Sequence, residues 1–314
     1  MHPPAPSPWN FSVKPPEPTS SPPATARLDL VGILCGTGAA LFWAIGFVAA
    51  RHGIAAGFSP VDVVLHRFVW AGLLFLPVVA RHGLSDLGGV GLGRGVALTL
   101  LGGPPLTLFS YAGFLFVPLA HGAVIQPSCA ALGGLVLASL VLKEKLPMER
   151  ALGALVIVAG LGVIGAEALA TIGTHGLVGD LSFVTAGTLF AVFATLLRRW
   201  RVAPMRAVAV TSVVSLIGLP IYWLVFGFER MIQMGLVENL VQLVAQGLFA
   251  GAGATYLFTR SVVLLGAGRA AVFPSLVPGF TLLIGFLVLG EVPSLAQLAG
   301  FAIVLVGFRL TQKG

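Results

Sequence analysis

Charge is what this chain has least of. Only 9% of its residues are Asp, Glu, Lys or Arg, against about 25% in a soluble domain, and its mean hydropathy is +1.00. A soluble protein of 314 residues could not cover itself with so little polar surface. Carboxylates are rare and badly placed for chemistry, because Asp62, Glu167 and Asp180 all lie toward the ends of apolar runs. A proton relay through a carboxylate at mid-membrane is therefore poorly supported. Cysteine is nearly absent. Cys35 and Cys129 stand far apart with no CxxC partner or adjacent histidine, which argues against a disulfide framework and against a thiolate metal site. HExxH, GxSxG, P-loop and GxGxxG-with-acid patterns do not occur in a suitable context. No cofactor, no metal and no catalytic residue is expected.

What the chain has in abundance is long apolar runs. They fall at about Leu28–Ala50, Pro60–Ala80, Gly95–Leu119, Gly122–Leu142, Ala151–Ala170, Leu177–Leu197, Met205–Phe226, Leu240–Leu265, Ala267–Leu289 and Leu295–Leu310. A helix needs about 20 such residues to cross a bilayer core of about 30 Å. A membrane β-barrel would alternate apolar and polar residues; a run such as LGALVIVAGLGVIG from Leu152 does not. The expectation is an all-α polytopic membrane protein with ten transmembrane helices and the lipid bilayer as solvent.

Two stretches share one plan. His121–Gly160 and Gly268–Gly307 align at a constant offset of 147, which pairs Ala123 with Ala270, Pro127 with Pro274, Ser128 with Ser275 and Glu144 with Glu291. The same offset pairs Gly153 with Gly300 and Gly160 with Gly307. Matched Leu or Val would mean little here, but matched Pro, Glu and Gly indicate an internal repeat. The units are a Pro-rich tail at 1–27, a first five-helix repeat at 28–170 and a second at 171–314. The tail holds nine prolines before Arg27 and few large aliphatics, so it is expected to be disordered and cytoplasmic.

The net charge of +7 invites a nucleic-acid reading, but its distribution favours another. With the N-terminus inside, the cytoplasmic segments hold Lys14, Arg27, Arg81, Arg94, Lys143, Lys145, Arg150, Arg198, Arg199, Arg201, Arg206, Arg269, Arg309 and Lys313. The outer segments keep only Arg51 and Arg230. This asymmetry places both termini of a multi-pass membrane protein in the cytoplasm, and no nucleic-acid partner is expected. Five helices per half then make the two repeats inverted, with a site expected near the midplane between them.

These features resemble the drug/metabolite transporter superfamily, EamA type. The resemblance rests on Glu144 with Gly153 and Gly160, on Glu291 with Gly300 and Gly307, on Phe42–Trp43, on His66–Arg67–Phe68, and on Ala270–Ala271 followed by Pro278. One departure stands out: the first half has Ala131 at the position equivalent to Pro278. The resemblance implies an inner-membrane carrier, often an exporter of amino acids or related metabolites.

The candidate substrate path comprises Trp43, His66, Arg67, Tyr111, Gln126, Pro127, Ser128, Tyr256, Pro274, Ser275 and Pro278. Arg67 lies about 10 Å into the second span at 1.5 Å per residue. Either it meets an anionic group on the substrate, with His66 carrying a proton, or it fixes helix packing, as an internal ion pair with Asp62 or as an Arg bound to backbone carbonyls. Pro127–Ser128 and Pro274–Ser275 read as symmetric kinks, serving as hinge and cavity wall or as static packing. Trp43, Tyr111 and Tyr256 sit well inside spans, as path lining or core. Gly247 and Gly251 form a GxxxG match, for close packing within one chain or in a homodimer. Glu144 and Glu291 read as carboxylates at helix ends. The functional expectation is a secondary transporter that moves small metabolites across the plasma membrane by alternating access. A polytopic membrane enzyme and a non-transporting assembly factor are the alternatives.

Overall fold

The computed structural model describes residues 24–142, 148–170, 174–265, 270, 272–290 and 292–313. Residues 1–23 of the Pro-rich tail, Glu144 and Glu291 lie outside them. Helices that run on through a local break group into segments α1 (Ala24–Ala56), α2 (Pro60–Arg81), α3 (Leu92–Leu115), α4 (Leu119–Leu142), α5 (Met148–Ala170), α6 (Thr174–Trp200), α7 (Pro204–Phe226), α8 (Glu229–Leu265), α9 (Phe273–Leu289) and α10 (Leu295–Lys313). Among the described residues six helices are long and apolar enough to cross a membrane: Asp29–Ala56, Pro60–Arg81, Leu92–Leu115, Gly176–Trp200, Pro204–Phe226 and Glu229–Leu265. Shorter apolar helices cover Ala151–Val163, Phe273–Leu289 and Leu295–Gly307. Leu224, Leu287 and Val306 stand exposed on the outer faces, an arrangement that suits lipid and not water. The chain is a polytopic helical membrane protein.

Local chemistry sets the helix ends. Ser59 caps α2 with a reciprocal box: its Oγ accepts from the Asp62 amide at 3.3 Å, and Asp62 Oδ2 accepts from the Ser59 amide at 2.7 Å. Pro60 fills the first turn, where its missing N–H is not needed. The first helix runs to Ala56, six residues beyond the expected Ala50, because the polar residues there find partners. Arg51 Nη1 donates to the Phe114 carbonyl at 3.0 Å, and His52 Nε2 meets Glu238 at 3.2 Å. The eighth segment begins at Glu229, well before the expected Leu240. Its break at Gly235 (φ 77°) is bridged by Asn239, whose Nδ2 donates to the carbonyls of Met231 and Gly235 at 2.7 Å each.

Among the described residues the third, seventh, eighth and ninth segments are interrupted, the seventh at Leu216–Ile217 between the pieces Pro204–Ser215 and Gly218–Phe226. The third breaks at Gly103, followed by Pro104 and Pro105, which cannot donate to the preceding turn. The eighth carries a π-helical stretch at Leu243–Gly253. The ninth opens with a 3-10 turn at Phe273–Leu276 and becomes α-helical at Val277–Leu289. The expected symmetry of the proline kinks does not appear. Pro127 sits inside the continuous helix Leu119–Leu142, whereas Pro274 and Pro278 each open a helical piece. Two missing amide donors four residues apart stop a regular helix from forming through them. The first half has Ala131 in place of the second proline and runs on.

The packing pairs repeat under a shift of five segments. α4 packs on α6 as α9 packs on α1, and α3 packs on α6 as α8 packs on α1. α2 lies on α7, and α5 on α10. The last pair is joined through the glycines of the repeat. A Cβ on Gly160 would lie 2.7 Å from the Gly300 carbonyl oxygen and 2.8 Å from the Val304 nitrogen. A Cβ on Gly307 would lie 2.8 Å from the Gly153 carbonyl oxygen and 2.7 Å from the Ile157 nitrogen. The four glycines matched at offset 147 thus meet crosswise, backbone to backbone. Gly247 lies against Trp70 Cβ and Gly251 against Ala71 Cβ, so this GxxxG face packs on α2 of the same chain.

Candidate functional site

A cavity of about 140 Å³ opens between the two halves. That is below the roughly 300 Å³ at which drug-sized pockets begin, and it suits a small solute. Three pairs of its lining residues are related by the offset of 147: Trp43 with Phe190, Pro127 with Pro274, and Ala130 with Val277. Its polar lining is one-sided. Arg67, Thr107, Ser110, Tyr111 and Gln126 all come from the first half, and Phe190, Pro274 and Val277 of the second half supply an apolar wall.

Arg67 is half-buried and held by neutral acceptors. Its Nη1 donates to the Tyr111 hydroxyl at 3.4 Å, and its Nη2 to the Ala250 carbonyl at 3.2 Å. Tyr111 in turn donates to Gln246 Oε1 at 2.7 Å, and Gln246 Nε2 donates to the Gly46 carbonyl at 2.7 Å. The chain of bonds needs α1 and α8 to touch. Gly46 permits this, since a Cβ there would lie 2.5 Å from Ala250 Cβ. The π-helical stretch of α8 carries both Gln246 and Ala250, as such stretches often do at functional sites.

The expected partner of Arg67 is engaged elsewhere. Asp62 is buried at the start of α2, where Oδ1 accepts from the Tyr222 hydroxyl at 2.6 Å and Oδ2 lies 3.8 Å from Arg230 Nε. Its other bond closes the Ser59 cap. Asp62 therefore does not neutralise Arg67, which has no salt bridge among the described residues. The reading of Arg67 as one half of an internal ion pair is corrected, because Tyr222 and Ser59 already hold that carboxylate, whereas the Ala250 carbonyl is the kind of acceptor that the other packing reading named.

The remaining candidates divide by position. Trp43 lines the cavity and packs on Phe258 at 5.4 Å between centroids. Gln126 lines it with Oε1 2.8 Å from Ser110 Oγ. Ser110 Oγ also lies 3.2 Å from the Leu106 carbonyl and, having one proton, donates to one acceptor at a time. Pro127 and Pro274 line the wall, whereas Ser128, Ser275 and Pro278 do not. Ser275 is buried, with its Oγ donating to the Val272 carbonyl at 2.6 Å. His66 points away from the cavity. Trp70 Nε1 donates to its Nδ1 at 3.0 Å, which puts the ring proton on Nε2, 3.1 Å from Asn239 Oδ1. With both ring nitrogens engaged, His66 ties α2 to α8. Tyr256 faces outward and is 45% exposed. Gln246, Thr107, Ser110 and Phe190 are site residues that the sequence reading missed. A polar Gln246 within an apolar run was the available signal for the first of these.

A family model described as the EamA-like transporter family matches residues 30–166 and again 177–311. An uncharacterized transporter of Archaeoglobus fulgidus is 25% identical over 278 residues, which is 87% of this chain and 95% of that protein. A solved crystal structure superposes with a TM-score of 0.66 at 18% identity, covering 91% of this chain and 96% of its own, a likeness of fold.

Proposed function

The chain belongs to the EamA-like transporter family, within the drug/metabolite transporter superfamily, and from that premise we propose that it is a secondary carrier exporting amino acids or related small carboxylate metabolites across the plasma membrane. Its ten helical segments cross the bilayer as two inverted five-helix repeats with both termini cytoplasmic. The double family match, the crosswise glycine contacts of α5 and α10 and the five-segment periodicity of packing support that arrangement. The observation that carries the reading is Arg67: a cation at membrane depth, on a cavity wall between the halves, without a carboxylate among the described residues. A charge so placed is costly unless something in its surroundings answers it; a substrate carboxylate does so while bound.

The test is counterflow in proteoliposomes. Purified protein, reconstituted and loaded with a panel of unlabelled amino acids and their derivatives, is expected to accumulate label from at least one carboxylate-bearing member. Saturation is expected, and protein-free liposomes should show none. No counterflow by any member of the panel would overturn the reading.

Alternating access makes a second demand. Positions related by the repeat must exchange environments when the open side changes. Ala130→Cys and Val277→Cys, in a background lacking Cys35 and Cys129, should therefore react with a membrane-impermeant thiol reagent from opposite faces of the membrane. Transported solute should shift the two reactivities in opposite directions. Pro127→Ala and Pro274→Ala should each change turnover per folded molecule and leave abundance nearly intact. Thiols that ignore the solute, together with unchanged turnover, would make these prolines packing elements only.

A further inference from the structure

The electrostatics of the cavity narrow the substrate class. Resting on the reading of this cavity as the substrate site, we infer that it selects a small organic monoanion, a carboxylate with an apolar body, over the zwitterionic amino acid of the same shape. Three observations converge. Among the described residues that line the cavity Arg67 is the only charged side chain, and Asp62 is committed to Tyr222 and Ser59. Two interrupted segments begin helical pieces at the cavity: Pro104–Ala112 brings Leu106 and Thr107 of its first turn to the wall, and Val277–Leu289 brings Val277. Pro104, Pro105 and Pro278 offer no N–H there, and the Thr107 and Val277 amides already donate to the Gly103 and Pro274 carbonyls, so these ends favour an anion through the helix dipole alone. Beside these, Ser110 lies within hydrogen-bond distance of the Gln126 carbonyl oxygen, and the Gln126 amide nitrogen, a pure donor, has no partner among the described residues.

A monoanion meets every one of these features well. Its carboxylate takes the guanidinium edge of Arg67, and its apolar body lies against Trp43, Phe47 and Phe190. A zwitterion carries its ammonium one carbon from its carboxylate, so it cannot bring one group to Arg67 and keep the other out of the same field. That ammonium loses water and finds only neutral acceptors among the described lining side chains, the oxygens of Thr107, Ser110, Tyr111 and Gln126. Aromatic faces attract a cation too weakly to replace a carboxylate. Substrates of this class are what deamination or N-acylation of an amino acid produces, since either reaction removes the ammonium and keeps the carboxylate.

The experiment compares matched solutes on the full chain purified in detergent, by calorimetric titration with leucine, its 2-oxo acid (4-methyl-2-oxopentanoate) and 3-methylbutylamine. The 2-oxo acid is expected to bind at least about tenfold more tightly than leucine, and the amine not at all. Arg67→Gln should cut the advantage of the 2-oxo acid to below about threefold, and Arg67→Lys should keep part of it. If Arg67→Gln fails to give monodisperse protein, the wild-type comparison decides alone. Leucine binding as tightly as its 2-oxo acid would overturn the monoanion inference while leaving transport through this cavity standing. Absence of binding by both, with counterflow of another solute class in proteoliposomes, would also overturn it. Absence of binding together with absence of any counterflow would overturn the transport reading as well.

Discussion

Arg67→Ala is expected to abolish transport, lowering counterflow per folded molecule by at least about 100-fold, because removing one partner of a desolvated charge pair costs about 3–5 kcal/mol. The effect should fall on solute binding more than on folding. The guanidinium is held by two neutral acceptors, the Tyr111 hydroxyl and the Ala250 carbonyl, and losing an unneutralised cation removes its desolvation cost together with those two bonds. Arg67→Lys keeps the charge and loses the planar fork, so a loss of about tenfold is expected from a two-point contact reduced to one. Tyr111→Phe and Gln246→Leu should lower transport by a smaller factor with Arg67 intact, since they act by aiming it. Gln246 is fully buried and its Nε2 anchors on the Gly46 carbonyl, so its removal loosens the α1–α8 contact as well. Transport measured against the monodisperse fraction separates the two effects. An Arg67→Ala protein that carries solute at half the wild-type rate or better would remove Arg67 from the site.

Gly160→Leu and Gly307→Leu are each expected to eliminate the folded protein. At both positions the space a side chain would enter is filled by backbone of the facing helix, with atoms at 2.7–2.8 Å, and neither helix can yield without separating from the other. Alanine poses a milder form of the same problem. Overpacking typically costs about 1–3 kcal/mol, so Gly160→Ala should lower the unfolding temperature in detergent, and the double variant Gly160→Ala/Gly307→Ala should lower it further. Gly162 supplies the control on the same helix, because nothing lies within 4 Å of a Cβ built there; Gly162→Leu should fold normally. Equal abundance for the Leu variants at 160 and 162 would show that α5 and α10 do not meet through their glycines. The result bears on function through the fold alone, since neither glycine lines the cavity.

The sequence by itself determined the class of this protein and its repeated plan. Transfer of an apolar side chain into lipid is a local property, so runs of about 20 residues announce membrane helices whatever packs around them. The offset of 147 that matched Gly153 with Gly300 and Gly160 with Gly307 named the four residues that now meet between α5 and α10, because a backbone-to-backbone crossing tolerates only glycine and leaves a residue-type signature. Arg67 was legible for the same reason: a charge in an apolar run is conspicuous. The third run, Gly95–Leu119, read as one uninterrupted span, and only the structure showed the break at Gly103–Pro104–Pro105 that turns a helix end toward the cavity. Tertiary structure decided the partners. Asp62 stood one helical turn and one residue from Arg67 and invited a pairing, yet Tyr222, 160 positions away, holds that carboxylate. His66 and Arg67 are adjacent in sequence but about 100° apart around the helix, which sends one to Asn239 and Trp70 and the other to the cavity. Gln246 reaches Tyr111 and the Gly46 carbonyl only because α1 and α8 come into contact, and no local pattern records which helices of a membrane bundle will pack. A hydrogen bond between groups more than a hundred residues apart depends on that choice, and the charge balance of the cavity depends on the hydrogen bonds.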